Sequence, residues 1–454
     1  MNLIRVLLLF LLGVALLLVA QPHDSIAAAS VERSDEYRST YAFNEADRFL
    51  QPALIRQPWN AMLYLRSSDI ALGLRDLDRS SAQLDLADVA GADRSEVEVR
   101  RAILAEARQQ FELAATFWLS ATLDRPEDST AILRLIDADV RLAKFDAAKT
   151  VAQDWLDRSN LPEAHFALAK LIALDDPIST KDHFTQAPVD QAQEFLAALN
   201  DPQSSDPAYR SVALGRAYLV DNDLQLAARA FQTATLFNPN YADAFAYYGF
   251  TLDQLGQAGG AQLDRAVEIN RDLVVARYFR ALHAIAQGDQ SSALIDLKVA
   301  IDREPQNYLV AIELGRAYAR QADFVSAEKW LQVARDLRPE DVLSWQVLCE
   351  FYSSTGANDQ AIAAAQQAVV LAPNDAEAHV WLGRAHVLSG NFQFAEQELR
   401  TAVRLEPRSA TAHYFLGRFL KRNTDEGRLE FERASALDPT GAIGDLARRE
   451  LSLP

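Results

Sequence analysis

Cysteine is almost missing from this chain. Cys349 stands alone among 454 residues, so an intramolecular disulfide is impossible and a thiolate metal centre lacks its ligands. Glycine and proline are sparse, at 17 and 16. They fall mostly at turns, which leaves long stretches free to be helical. Positive charge is in deficit: 45 Lys and Arg face 63 Asp and Glu, a formal net charge of −18. That argues against a nucleic-acid backbone as the main ligand, because phosphate binding needs a basic face, and it leaves room only for a local basic groove. Catalytic signatures are missing too: no His-Glu-x-x-His, no Walker loop and no Rossmann glycine pattern occurs. With 49% hydrophobic and 24% charged residues, the chain is nevertheless of a composition that folds.

What is present is a period. Pro305, Pro339, Pro373 and Pro407 follow one another at one constant step, and Pro239 lies upstream. Before each proline the same small residues return. Leu214-Gly215-Arg216-Ala217-Tyr218 leads to Ala227, Phe231, Ala234 and Pro239. Leu314-Gly315-Arg316-Ala317-Tyr318 leads to Ala327, Leu331, Ala334 and Pro339. Leu382-Gly383-Arg384-Ala385-His386 leads to Ala395, Leu399, Ala402 and Pro407. Small residues at these places let two helices cross closely, and large ones fill the space between. Each proline ends a helix. Shortly after it stands a side chain suited to cap the next one: Asn307, Asp341, Asp375, Ser409, and Asp128 after Pro126. The reading is an array of helix-turn-helix units.

This pattern resembles the tetratricopeptide repeat. The resemblance implies an all-α, right-handed α-solenoid of stacked repeats, whose first helices line a concave surface. It covers residues 208–440 as the main array. Within it the unit from Ala242 to Leu273 is cut short, and the unit from Val274 carries Arg280 at a usually apolar place. Residues 61–162 read as degenerate repeats of the same kind. Residues 163–207 lose the period and read as one irregular helical pair (about Glu163–Leu174 and Val189–Asn200) with a longer connection. Residues 441–454 read as a C-terminal capping helix. Residues 30–60 read as a polar stalk and N-terminal cap.

Residues 1–29 read as a signal peptide or an N-terminal membrane anchor. Val6 to Ala20 carries no charge, and Ala27-Ala28-Ala29 offers a small-residue cleavage site. Either outcome places the rest outside the cytoplasm, as a membrane-anchored, periplasmic or secreted protein. Membrane association would run through residues 1–20 if they are not cleaved.

Four arginines share one register, immediately after the glycine: Arg216, Arg316, Arg384 and Arg418. Phe250, Tyr278, Trp381 and Tyr414 fall on or beside the same face, with Tyr247, Phe279 and Phe415. Such a trough suits a peptide with an acidic group. The other reading of these arginines is that they pair with carboxylates of neighbouring repeats, such as Glu313 or Glu350. His379, His386 and His413 read as packing residues rather than metal ligands, and Cys349 as a packing residue. Gly256-Gln257-Ala258-Gly259-Gly260 and Asp221-Asn222-Asp223 read as turns. The expected function is a non-catalytic scaffold that binds a protein or peptide partner for assembly of an envelope complex, with no cofactor, no metal and no nucleic acid. The alternatives are an accessory repeat subunit of an envelope enzyme, polysaccharide or secretion system, and a self-assembling scaffold.

Overall fold

The computed structural model describes residues 25–421 and 424–452. The segment of residues 1–24, with most of the signal or anchor reading, lies outside the described residues. Among the described residues there are helices and turns but no strand. No helix there is long and apolar enough to cross a membrane. The chain forms two units, one from residues 127–373 and one from the N- and C-terminal parts, up to Pro126 and from Asn374 onward.

The unit of residues 127–373 holds the regular pairs Pro207–Val220 with Leu224–Phe237, Val274–Ala286 with Gln290–Arg303, Tyr308–Arg320 with Phe324–Leu337, and Val342–Thr355 with Asn358–Leu371. Asp128, Asn307 and Asp341 each accept a hydrogen bond from the first turn of their helix, as the sequence predicts. In the short unit, Ala242–Gln254 pairs with a second helix that begins only at Gly260. The cause is a close approach: a Cβ at Gly259 would stand 2.0 Å from the Gly249 carbonyl oxygen. Arg280 tolerates its inward place because Asp296, only 2% exposed, accepts from it through both oxygens and also from Arg277 at 2.6 Å.

Residues 163–207 differ from expectation. The connection between the two expected helices is itself a helix, Pro177–Gln186, and a 3-10 turn follows at Pro202–Ser205. Asp176 caps this helix, and Phe184 supplies the reason it packs: its ring stacks on Phe195 at 4.8 Å and meets Phe166 edge-on. The insertion is tied to the following unit. Tyr218 donates to the Lys170 carbonyl at 2.5 Å, and Lys170 Nζ reaches Asp221 at 2.7 Å and Asp223 at 3.2 Å. Beside it, buried His165 faces His183 (Nδ1 to Nδ1, 2.9 Å) and Asn160 (Nε2 to Oδ1, 3.2 Å).

The other unit contains Ala61–Gly73 with Leu77–Val89, Arg94–Ala107 with Phe111–Asp124, Ala376–Leu388 with Phe392–Leu405, and Ala410–Leu420 with Asp425–Leu437. Asp375 and Ser409 cap their helices. Gly383 shows why the period needs glycine, since a Cβ there would lie 2.7 Å from Leu399 Cγ. The helix Ala442–Ser452 packs Ala447 against Tyr414, Phe431 and Ala434.

The stalk expected in residues 30–60 is instead folded. Residues 25–39 are helical and turn into Phe43–Arg56, and Ala27, Ala46, Leu50 and Ala53 join Leu63 and Ile70 in one core. From this segment onward, polar side chains form a ladder of ion pairs between successive repeats. Arg66 pairs with Asp35, Arg79 with Asp47 and Arg100 with Asp69, each reaching back by nearly one repeat. Arg108 with Asp78 and Arg125 with Asp93 continue it. Asp47 is held below the usual carboxylate range: burial opposes its ionisation, but hydrogen bonds from Arg79 and Gln51 outweigh it. The two parts of this unit also meet. Arg433 Nε donates to the Thr40 carbonyl at 3.0 Å while its Nη1 holds Glu430 at 2.6 Å.

Two outcomes test this packing. Asp296→Ala takes away the buried carboxylate of Arg277 and leaves Arg280 only its exposed partner Asp264, and it is expected to lower stability by about 3–5 kcal/mol. Asp264→Ala, which removes an exposed partner of Arg280, is expected to cost about 1 kcal/mol or less. Urea midpoints of the two variants check the order. Burial first, and then the neighbouring His183, push His165 below its ordinary value of 6.5. The folded chain therefore binds fewer protons there than the unfolded chain, so stability holds above pH 6.5 and is lost as pH falls from there toward the folded value. Thermal midpoints from pH 7 to pH 5 should fall less in His165→Gln than in the native chain.

Candidate partner-binding surface

The register that places an arginine after each glycine also fixes what lies against it. In the 127–373 unit, Arg216 stands exposed on Pro207–Val220 with its guanidinium 5.9 Å from the ring centre of Tyr247, on the first helix of the next repeat. Tyr247 stacks on Phe231 at 5.3 Å and meets Phe279 edge-on. Phe279 in turn stacks face to face with Phe250 at 4.3 Å and adjoins Tyr278. Phe250 and Tyr278 are half-buried in this run of rings. Burial raises the Tyr278 phenol to about 12, with Glu313 adding and Arg316 opposing. Burial also raises Asp243, against its own backbone hydrogen bond and the nearby Arg216 charge.

Arg316 behaves differently. Its Nη1 donates to Glu313 at 2.8 Å, and its Nη2 lies 3.7 Å from Glu350. The reason is in the next repeat. Arg216 meets Tyr247, and Arg384 meets Phe415 at the same offset into the repeat that follows it. The residue at that offset from Arg316 is Val347, buried and aliphatic. With no ring to cover, the guanidinium turns to the carboxylates.

In the unit of the N- and C-terminal parts, Arg384 lies between two rings, 4.2 Å from Trp381 and 4.3 Å from Phe415. Arg418 is exposed, 5.9 Å from the Tyr414 ring. Tyr414 itself is 5% exposed and packs on Phe431, so it supports this face from below rather than presenting it. Sequence reading placed Phe415 beside the trough but gave its role to Tyr414. The usable signal was the spacing: Phe415 is the register equivalent of Trp381, one full period on. Val387, Leu388, Leu399 and Phe419 were missed, and they close an apolar pocket of about 170 Å³ around Arg384, Phe415 and Arg418.

Two of the three histidines singled out in the sequence, His379 and His413, are buried against acidic partners. His379 Nδ1 lies 2.6 Å from Glu398, His413 Nδ1 faces Glu430, and His386 packs against Phe394. Burial pushes His386 below its ordinary value, with Glu398 opposing. Among the described residues no group of three or more His, Cys, Asp or Glu is placed to hold a metal ion. Cys349 is buried.

Family models described as tetratricopeptide repeat match residues 278–342 and 354–420. The first stretch contains Tyr278 and Arg316, the second Trp381, Arg384 and Arg418. No curated protein matches the sequence. Among solved structures, yeast Tom70 is 18% identical over 94% of this chain and 95% of its own, with a TM-score of 0.45. PilW, a type IV pilus biogenesis factor, is 15% identical over 47% of this chain and 98% of its own, at 0.43. YrrB, a repeat protein with an unusual peptide-binding site, is 20% identical over 41% of this chain and 96% of its own, at 0.33.

The ring rule carries an energetic expectation. A guanidinium stacked on rings contributes about 0.5–1 kcal/mol at exposed sites and about 2 kcal/mol when desolvated. Arg384→Ala should therefore lower stability by about 1–2 kcal/mol and shift Trp381 emission to the red. Arg316→Ala, which removes part-exposed ion pairs, should stay within about 1 kcal/mol of the native chain. Urea unfolding followed by tryptophan fluorescence compares the two, and equal losses would contradict the rule.

Proposed function

We propose that this tetratricopeptide-repeat protein is a non-catalytic scaffold that holds a protein or peptide partner on the face built by its first helices. The observation that carries this reading is the recurrence of one device, an arginine laid on a ring of the next repeat, at Arg216 and again at Arg384. Arginine and aromatic side chains are the groups that dominate binding energy at protein interfaces, because they bury large area at modest entropic cost and still offer directed donors. Here the rings are half-buried, so they are held in place before a partner arrives. That pre-organisation lowers the ordering cost of binding. In each unit an arginine stands beside rings in a chain whose net charge is −18, which fits an acidic partner segment.

The same reading takes the scaffold to be exported or tethered and to serve assembly of an envelope complex. Its support is the uncharged run Val6 to Ala20 with the small residues that follow. Residues that would perform chemistry have no role in it.

Affinity capture from native membranes, read by mass spectrometry, tests the proposal. The native chain is expected to enrich a defined partner. A variant carrying Arg216→Ala with Tyr278→Ala is expected to lose at least most of it while keeping the helical circular dichroism of the native chain. Capture of the same partner at the same yield by that variant would overturn the assignment of this face.

A further inference from the structure

The pocket beside Arg384 and Arg418 differs in chemistry from the other clefts that hold a cation. Lys170 lines two of them, and its ammonium is already bound by Asp221 and Asp223. Arg280 lines another, and Asp296 and Asp264 hold it. In the pocket at Arg384 and Arg418 no carboxylate is among the lining residues. The walls are Val387, Leu388, Leu399 and Phe415. Arg418 is exposed, and among the described residues no carboxylate lies within ion-pair distance of it. A cation at the mouth of an apolar pocket calls for a ligand with an apolar part and an adjoining negative charge. The volume, about 170 Å³, sets the size of the apolar part. A cavity of ~150 Å³ holds a benzene ring, so one large side chain enters and a second does not.

We infer that this pocket binds an acidic-apolar stretch of a protein partner. A leucine- or phenylalanine-sized side chain enters against Phe415 and Leu399, and a carboxylate next to it in the partner's sequence pairs with Arg418. The pocket's two ends are built by successive repeats at equivalent positions, whose first helices lie about 8–10 Å apart. Three residues of peptide reach at most about 10 Å, so a tripeptide spans the site. The overall charge of −18 works against acidic segments over much of the chain, which makes recognition at an exposed arginine a local property. The inference rests on the scaffold reading above and adds to it the chemistry of the segment that docks at this end.

The test uses the full chain and the peptide acetyl-Gly-Asp-Leu-Asp-Gly-amide. Binding is followed by the ¹H–¹⁵N resonance of the Trp381 indole, which lies over Arg384 at the pocket wall and is assigned with Trp381→Phe. The expected result is a saturable shift. Replacing both aspartates of the peptide by asparagine should weaken binding about fivefold, the worth of one exposed ion pair. Arg418→Ala should weaken the Asp-Leu-Asp peptide by the same factor and leave the Asn-Leu-Asn peptide unchanged. Arg418→Lys should recover part of the loss. Equal binding of the two peptides, or an Arg418→Ala chain that binds as the native one does, would overturn the inference. If the native chain captures its partner through Arg216 and Tyr278 yet shows no saturable Trp381 shift, this inference fails and the scaffold reading stands. If neither is seen, both fail.

Discussion

A pair of short amphipathic helices has more apolar surface than its own hairpin can bury. The first helix covers one side of the second, and the remaining stripe is covered only when another pair stacks beside it. Everything else in this chain depends on that incompleteness. It is why glycine recurs where Leu399 presses on Gly383, since a methyl group there would hold the two helices apart. It is why the insertion at residues 163–207 must carry its own aromatic filling of Phe166, Phe184 and Phe195. Without those rings the break in period would leave the following pair with an uncovered face.

Charge follows from the same stacking. Successive units bring equivalent helices side by side, so residues nearly one repeat apart in sequence become neighbours. Arg and Asp at that spacing form the ladder from Asp35 through Arg125. Individually each rung is worth little, because most are part-exposed. Together they define which helix sits next to which. Where a charged group goes fully inward, as Asp296 does, it is surrounded by guanidiniums, because a lone buried carboxylate would carry a desolvation cost that one partner rarely offsets.

The arginines of the candidate surface obey this neighbour relation too. Arg216 and Arg384 sit against rings supplied by the next repeat, while Arg316, whose neighbour is Val347, is drawn to Glu313 and Glu350. Pairing with neighbouring carboxylates is thus the arrangement at Arg316, while Arg216 and Arg384 lie on rings instead, for a reason that lies one unit away. The apolar pocket beside Arg418 arises because Phe415 covers one face of Arg384 and Leu399 closes the floor.

The period, the helix caps and the register of the arginines were written in the sequence, because they are local: proline stops a helix, aspartate or asparagine starts one, and a constant step repeats both. Residues 30–60 read as a polar stalk and N-terminal cap because their helices are polar outside and bury mainly alanines, a pattern that hides its core until Leu63 and Ile70 are seen against Ala46 and Leu50. Pro177–Gln186 escaped notice because its burial hangs on Phe184 finding Phe195, a contact no local pattern announces. Tyr414 and Phe415 are adjacent in sequence, yet helix rotation sends one into the core on Phe431 and the other over Arg384. Sequence alone determined that repeats would stack and which positions would face one another. Only the tertiary structure decided what each charge touches and which rings stay exposed, because those outcomes depend on side chains contributed by the neighbouring unit.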